Sequence, residues 1–147
     1  MSISEMSFID TNVLVYAADH SSPFHKRSVD LRERGLSGDI PLCLSPQVLS
    51  ELFAVLTHPK RVNNPLSQGE ALAEIEKYYR SVSIKKIYQG PAAFEIMLDL
   101  LKRYEVSRQD IFDLQAVATM LANKVTRIYT FNRHHFEAFE EVEVLTP

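Results

Sequence analysis

Cysteine is nearly absent: Cys43 stands alone in 147 residues. One thiol makes neither an internal disulfide nor a zinc cluster, so the expected compartment is a reducing cytoplasm. Tryptophan is missing, glycine occurs four times, and no apolar run approaches the roughly 18 residues of a membrane span. The opening Met1-Ser2-Ile3-Ser4-Glu5 lacks the basic start of a signal peptide. Excess positive charge is lacking too, with a formal net charge of -3. Nucleic acid could therefore be held only by local cationic patches, not by bulk charge. What is present is a 46% hydrophobic composition, enough for a core and against disorder. The length fits one domain over residues 1–147.

Periodicity gives five short strand candidates, at 6–9, 42–44, 82–87, 128–130 and 142–145. Helical patterns fall at 11–18, 24–34, 46–57, 67–79, 91–104 and 110–122. Gly35 is the expected stop of the second helix, and Ser45 the cap of the third ahead of Pro46. Ser67-Gln68-Gly69-Glu70 reads as a capping box for the fourth. Strands alternating with helices predict a three-layer α/β/α sandwich with a mostly parallel sheet.

Most acids fall on polar faces or in loops, but three do not. Asp10 ends an apolar strand. Glu51 lies in Val48-Leu49-Ser50-Glu51-Leu52-Phe53-Ala54, a helix apolar nearly all round. Asp113 opens a stretch to Ala122 with no other charge. Burying an unpaired carboxylate costs several kcal/mol, about 2 or more by transfer measures, so partners are required. One divalent cation shared at the carboxyl edge of the sheet would serve all three. Oxygen ligands of this kind suit Mg2+ or Mn2+ rather than zinc. Each acid also has a simpler reading: Asp10 as a helix cap, Glu51 in an ion pair with Lys60 or Arg61, Asp113 complementing a helix dipole. Asp110 completes Ser107-Arg108-Gln109-Asp110, a capping-box pattern preferred over an outer metal role.

The blocks Phe8-Ile9-Asp10-Thr11-Asn12-Val13-Leu14-Val15-Tyr16-Ala17, Ser45-Pro46-Gln47-Val48-Leu49-Ser50-Glu51-Leu52, Asp113-Leu114-Gln115-Ala116-Val117-Ala118 and Tyr129-Thr130-Phe131-Asn132-Arg133-His134-His135-Phe136 occur in this order. Taken together they resemble a PIN-domain ribonuclease, specifically a toxin of the VapC type. The resemblance implies an RNA substrate, one or two Mg2+ or Mn2+ ions, a cognate antitoxin and a homodimer. By position it makes Asp10, Glu51 and Asp113 the principal acids, with Asn132 at a fourth site that is often Asp. His135 stands where many relatives carry Asp. Thr11, Asn12 and Thr130 are expected to support the ligands. Lys60, Arg61, Arg108 and Arg133 are the candidate cations for RNA. His134 and His135, if extended, would point apart. Two other readings remain open: a binding module of the same fold without useful catalysis, and a phosphoryl-transfer or receiver-like domain with Asp10 as nucleophile.

Overall fold

A computed structural model describes residues 5–147, so Met1 to Ser4 of the opening segment lie outside the described residues. Five strands form one sheet in the order β3-β2-β1-β4-β5, with every pair parallel. The elements run β1 (Ser7–Ile9), α1 (Thr11–Ala18), α2 (His25–Leu36), β2 (Leu42–Leu44), α3 (Pro46–Leu56) and α4 (Gln68–Tyr79). They continue with β3 (Lys85–Lys86), α5 (Pro91–Arg103), α6 (Asp110–Ala122), β4 (Arg127–Tyr129) and β5 (Glu143–Leu145). The sandwich is three-layered, and its sheet is wholly rather than mostly parallel. Central strands covered on both faces explain their unbroken apolar character: Phe8, Ile9, Leu42, Cys43, Leu44 and Ile128 are all fully buried.

Chain order places β2 and β3 on one side of β1, and β4 and β5 on the other. Strand order thus reverses at β1, and the carboxyl ends of β1 and β4 open a crevice at that point. Pro46 and Pro91 occupy the first turns of α3 and α5, where a missing N–H costs no helical bond. The capping box of α4 forms as expected, Ser67 Oγ accepting from Glu70 N while Glu70 accepts from Ser67 N. At the end of α6, Lys124 adopts φ 61°. Its N–H and that of Val125 close on Leu121 O and Met120 O in a Schellman arrangement.

Three local expectations fail, each for a visible reason, and one holds in part. The strand expected over 82–87 shrinks to Lys85–Lys86, because Ser81 Oγ accepts from Ser83 N and Ile84 N and holds that stretch in a turn. Gly35 does not stop α2, which runs through Leu36. It is instead a point of close approach, where a Cβ would collide with the Leu42 side chain. Ser45 takes the cap position of α3 without making the side-chain bond. The capping box expected at 107–110 does not form: Gln109 is the cap residue of α6, and Arg108 adopts φ 54° just before it.

Candidate metal and RNA site

Asp10 leaves the carboxyl end of β1 and caps α1, its Oδ1 accepting from Thr11 N at 2.8 Å. Its Oδ2 accepts from Thr130 Oγ1 at 2.8 Å and from Asn12 Nδ2 at 3.1 Å. The cap reading and the site reading therefore describe one carboxylate. Thr130, fully buried just past β4, also accepts from Asn12 Nδ2 and from Asn132 N. Asn12 Oδ1 in turn accepts from Phe131 N at 3.2 Å. These bonds lace the β1–α1 turn to the loop after β4 and fix Asp10 against rotation.

Thr11 joins a second acid to the first. While its N–H serves Asp10, its hydroxyl donates to Glu51 Oε2 at 2.8 Å. Gln47, one turn back on α3, donates to Glu51 Oε1 at 3.1 Å. Glu51 thus has neutral donors, and its simpler reading, an ion pair with Lys60 or Arg61, does not form. Nor is it buried: Val48, Leu49, Leu52 and Leu56 face the core while Glu51 points outward. Helical period, more than local composition, decides that placement.

Asp113 sits in the first turn of α6, half-buried, with Oδ2 3.1 Å from His135 Nδ1. Asp10, Thr11, Glu51, Asp113 and His135 line one cavity of about 610 Å³, together with Asn12, Tyr16, Arg61, Asp110, Phe112 and Asn132. Among the described residues, four carboxylates (Asp10, Glu51, Asp110 and Asp113) face one guanidinium, that of Arg61. Burial raises the Asp10 carboxyl above its ordinary pKa, opposed by its bonds to Thr130 and Thr11 and reinforced by the Glu51 charge. Burial likewise lifts Asp113 to about 6; His135 opposes this, while Asp10 and Asp110 reinforce it. Burial is the first cause of both shifts; the like charges that add to it leave a demand for positive charge that His135 and Arg61 meet only in part.

That demand fits a divalent cation. Among the described residues no group of three or more His, Cys, Asp or Glu side chains is placed to hold a metal ion by itself. Mg2+ does not need one, since it keeps several waters and commonly takes one or two carboxylates.

The remaining expected residues divide. Arg61 lines the cavity, and Arg108 lines an adjoining hollow with Ser107, Gln109 and Asp110. Lys60 is exposed and outside both. Arg133 is turned away, pairing with Glu137 at 3.1 Å and donating to Val144 O and Thr146 Oγ1. Asp110, read as a cap, accepts no capping bond and faces the cavity. His134 and His135 lie in a 3-10 turn, not an extended segment; their rings are 4.3 Å apart, and only His135 reaches the cavity. His135, noted in the sequence for standing where many relatives carry Asp but not counted among the candidate ligands, lines the cavity beside Asp113. Its signal was the following Phe136, an aromatic that is fully buried and anchors the turn.

The PIN domain family model matches residues 7–142. The chain is 28% identical over 143 residues to ribonuclease VapC24 of Mycobacterium tuberculosis, covering 97% of each chain. Ribonuclease VapC48 of the same organism is 25% identical over 138 residues, covering 94% of each. Among solved structures, Mycobacterium tuberculosis VapC20, described as a sarcin-ricin loop cleaving toxin, superposes with TM-score 0.66 at 17% identity, over 91% of this chain and 95% of that one. VapBC2 of Rickettsia felis, solved bound to a promoter DNA fragment, gives TM-score 0.63 at 15% identity over 97% and 98%. With a matching family model over nearly its whole length, and that family's fold around the acids at its carboxyl edge, the chain belongs to the PIN domain family.

Proposed function

We propose that the chain is a divalent-metal-dependent endoribonuclease, the toxin of a toxin–antitoxin pair. The observation that carries this is the cluster of only partly compensated carboxylates in the cavity at the carboxyl edge of the sheet. The names of the relatives, ribonucleases over nearly their full length, support the substrate class.

Asp10 and Asp113 would hold the cation, with Asp10 already oriented by Thr11, Asn12 and Thr130. When bound, Mg2+ or Mn2+ would polarise a phosphoryl oxygen and lower the pKa of the attacking water. Glu51, exposed and held by Thr11 and Gln47, is the base that orients that water and takes its proton. Water oxygen bonds to phosphorus as the bond from phosphorus to the leaving ribose oxygen breaks, and that oxygen acquires a proton from solvent. Asn132 supplies a neutral polar group at the cavity wall. Arg61 in the cavity and Arg108 beside it draw the RNA backbone, with exposed Lys60 as a peripheral attraction.

Exposed Phe94, Leu98 and Leu101 on α5, with Phe112 on α6 and Leu72 and Tyr79 on α4, offer apolar area to the antitoxin and to a second copy of the chain. Among the described residues no helix is long and apolar enough to cross a membrane, compatible with the proposed cytoplasmic site of action. The test is cleavage of an RNA pool with and without Mn2+ by wild type and Asp10→Asn. Metal-dependent cutting that falls at least about a hundredfold in the variant is expected, the scale of losing an electrostatic catalytic group. Equal cutting by both would overturn the assignment. RNA binding without cutting would favour the binding-module reading, in which Asn132 and His135 mark a lost centre.

A further inference from the structure

Besides His135, two aromatic rings line the cavity, Tyr16 and Phe112, and they are held very differently. The Tyr16 ring is engaged by Phe24 and Phe131, with centroids 5.3 and 5.4 Å away. Phe112 enters none of the aromatic pairs among the described residues and is 52% exposed. Helical geometry accounts for that exposure. Leu114, Val117 and Ala118 turn α6 to the core, and Phe112, two positions before Leu114, falls on the opposite side. Gln109 and Phe112, three residues apart, form one stripe along the cavity wall, and Asp110 and Asp113 form the next. Of the exposed large apolar side chains among the described residues, Phe112 is the one that lines the cavity. An apolar ring thus stands exposed between two carboxylates in the chain and adds nothing to the core.

The chemistry of that wall selects what can lie on it. A phosphate is repelled by Asp110 and Asp113, whereas a nucleobase is neutral and presents a flat π-face to the ring. The neighbouring hollow shares Gln109 and Asp110 with the cavity and adds Arg108 as a cation for the backbone attached to such a base. A base reaches the ring only when it is out of a helical stack, so the strand is unpaired at that point. We propose that Phe112 is a substrate-binding residue that stacks an unpaired base of the RNA on the α6 wall of the cavity, beside Asp113. The proposal rests on the ribonuclease reading above and states how the same site grips its strand.

The chain contains no tryptophan, so Phe112→Trp places a single indole at the proposed contact. The experiment titrates a short dye-labelled RNA with no self-complementarity into the full chain carrying Asp10→Asn, chosen to leave the strand uncut, and reads binding by anisotropy. Tryptophan emission from Phe112→Trp in that background should be quenched on binding, and a strand of the same backbone without bases should not quench it. Phe112→Ala should bind the RNA at least about fivefold more weakly, the lower end for losing one base–aromatic stack, while Phe112→Tyr stays within about twofold. In otherwise wild-type protein with Mn2+, Phe112→Ala should raise KM for the same strand by a like factor. RNA bound without quenching, or a Phe112→Ala protein with unchanged affinity and KM, would overturn the proposal. A changed elution volume of Phe112→Ala in size-exclusion chromatography, with RNA affinity unchanged, would overturn it too and assign Phe112 to a protein interface. A wild type that neither binds nor cuts the RNA would instead overturn the ribonuclease reading on which the proposal stands.

Discussion

At the α4–β3 side of the molecule, helix cap and loop carbonyls find local partners, although Tyr78 OH and Glu74 Oε2 on α4 are buried without one. Ser67 and Glu70 cap one another, and Lys86 Nζ donates to the carbonyls of Tyr78, Ser81 and Ile84. At the carboxyl edge of β1 and β4 the neighbourhood is equally ordered, yet its order leaves like charges facing one another. Thr11, Asn12 and Thr130 hold Asp10 in place, and Glu51, Asp110 and Asp113 share its cavity. Both regions use short local hydrogen bonds. In the first they close on one another, in the second they end in an array whose charge is met only in part. The two regions differ in that only the second brings several carboxylates into one cavity.

Substitutions in the two regions should therefore move stability in opposite directions. The largest effect is expected at Lys86→Met, which leaves three carbonyls without their charged donor: about 2 kcal/mol lost, within the range for hydrogen bonds to charged groups. Chemical denaturation of wild type and variant reads this directly, and an unchanged midpoint would show the lysine to be incidental. Ser67→Ala should cost about 1 kcal/mol by removing the cap of α4.

Asp113→Asn should do the reverse, raising the melting temperature of the metal-free protein at pH 7. Its carboxyl titrates at about 6 when folded, above its ordinary 3.8, so the folded state binds its proton more tightly than the unfolded chain. Stability from that difference is fully present below pH 4 and is lost as pH rises through 6. A neutral amide escapes the loss. The gain is under about 1 kcal/mol after solvent screening of a half-buried group. Wild type and variant should converge near pH 4. A variant less stable than wild type at pH 7 would erase the contrast between the two regions.

Much of this was legible in the chain because the signals were periodic. Fully buried Phe8, Ile9, Leu42 and Leu44 read as strands, and Ser67 with Glu70 read as a helix start. Asp10 and Asp113 stood out because strand ends and first helical turns of a parallel sheet share one edge. Hidden features were those set by tertiary bonds. Nothing local told that Ser81 would bind the backbone of 82–87 into a turn, or that Arg133 would turn toward Glu137 and the β5 end. Glu51 reached the cavity by another route than the one inferred: it faces outward from an amphipathic helix instead of lying in an apolar one. His135 was visible as a departure from the resemblance, but its place beside Asp113 was not, because the 3-10 turn at Arg133–His135 sets it.

The divalent cation proposed for the carboxylates at the crevice is tested by calorimetric titration of Mn2+ into the metal-free chain. Wild type should bind saturably, and Asp10→Asn, equally folded by circular dichroism, should bind at least about tenfold more weakly. Equal affinity in the two proteins, or no saturable binding by wild type, would contradict the account.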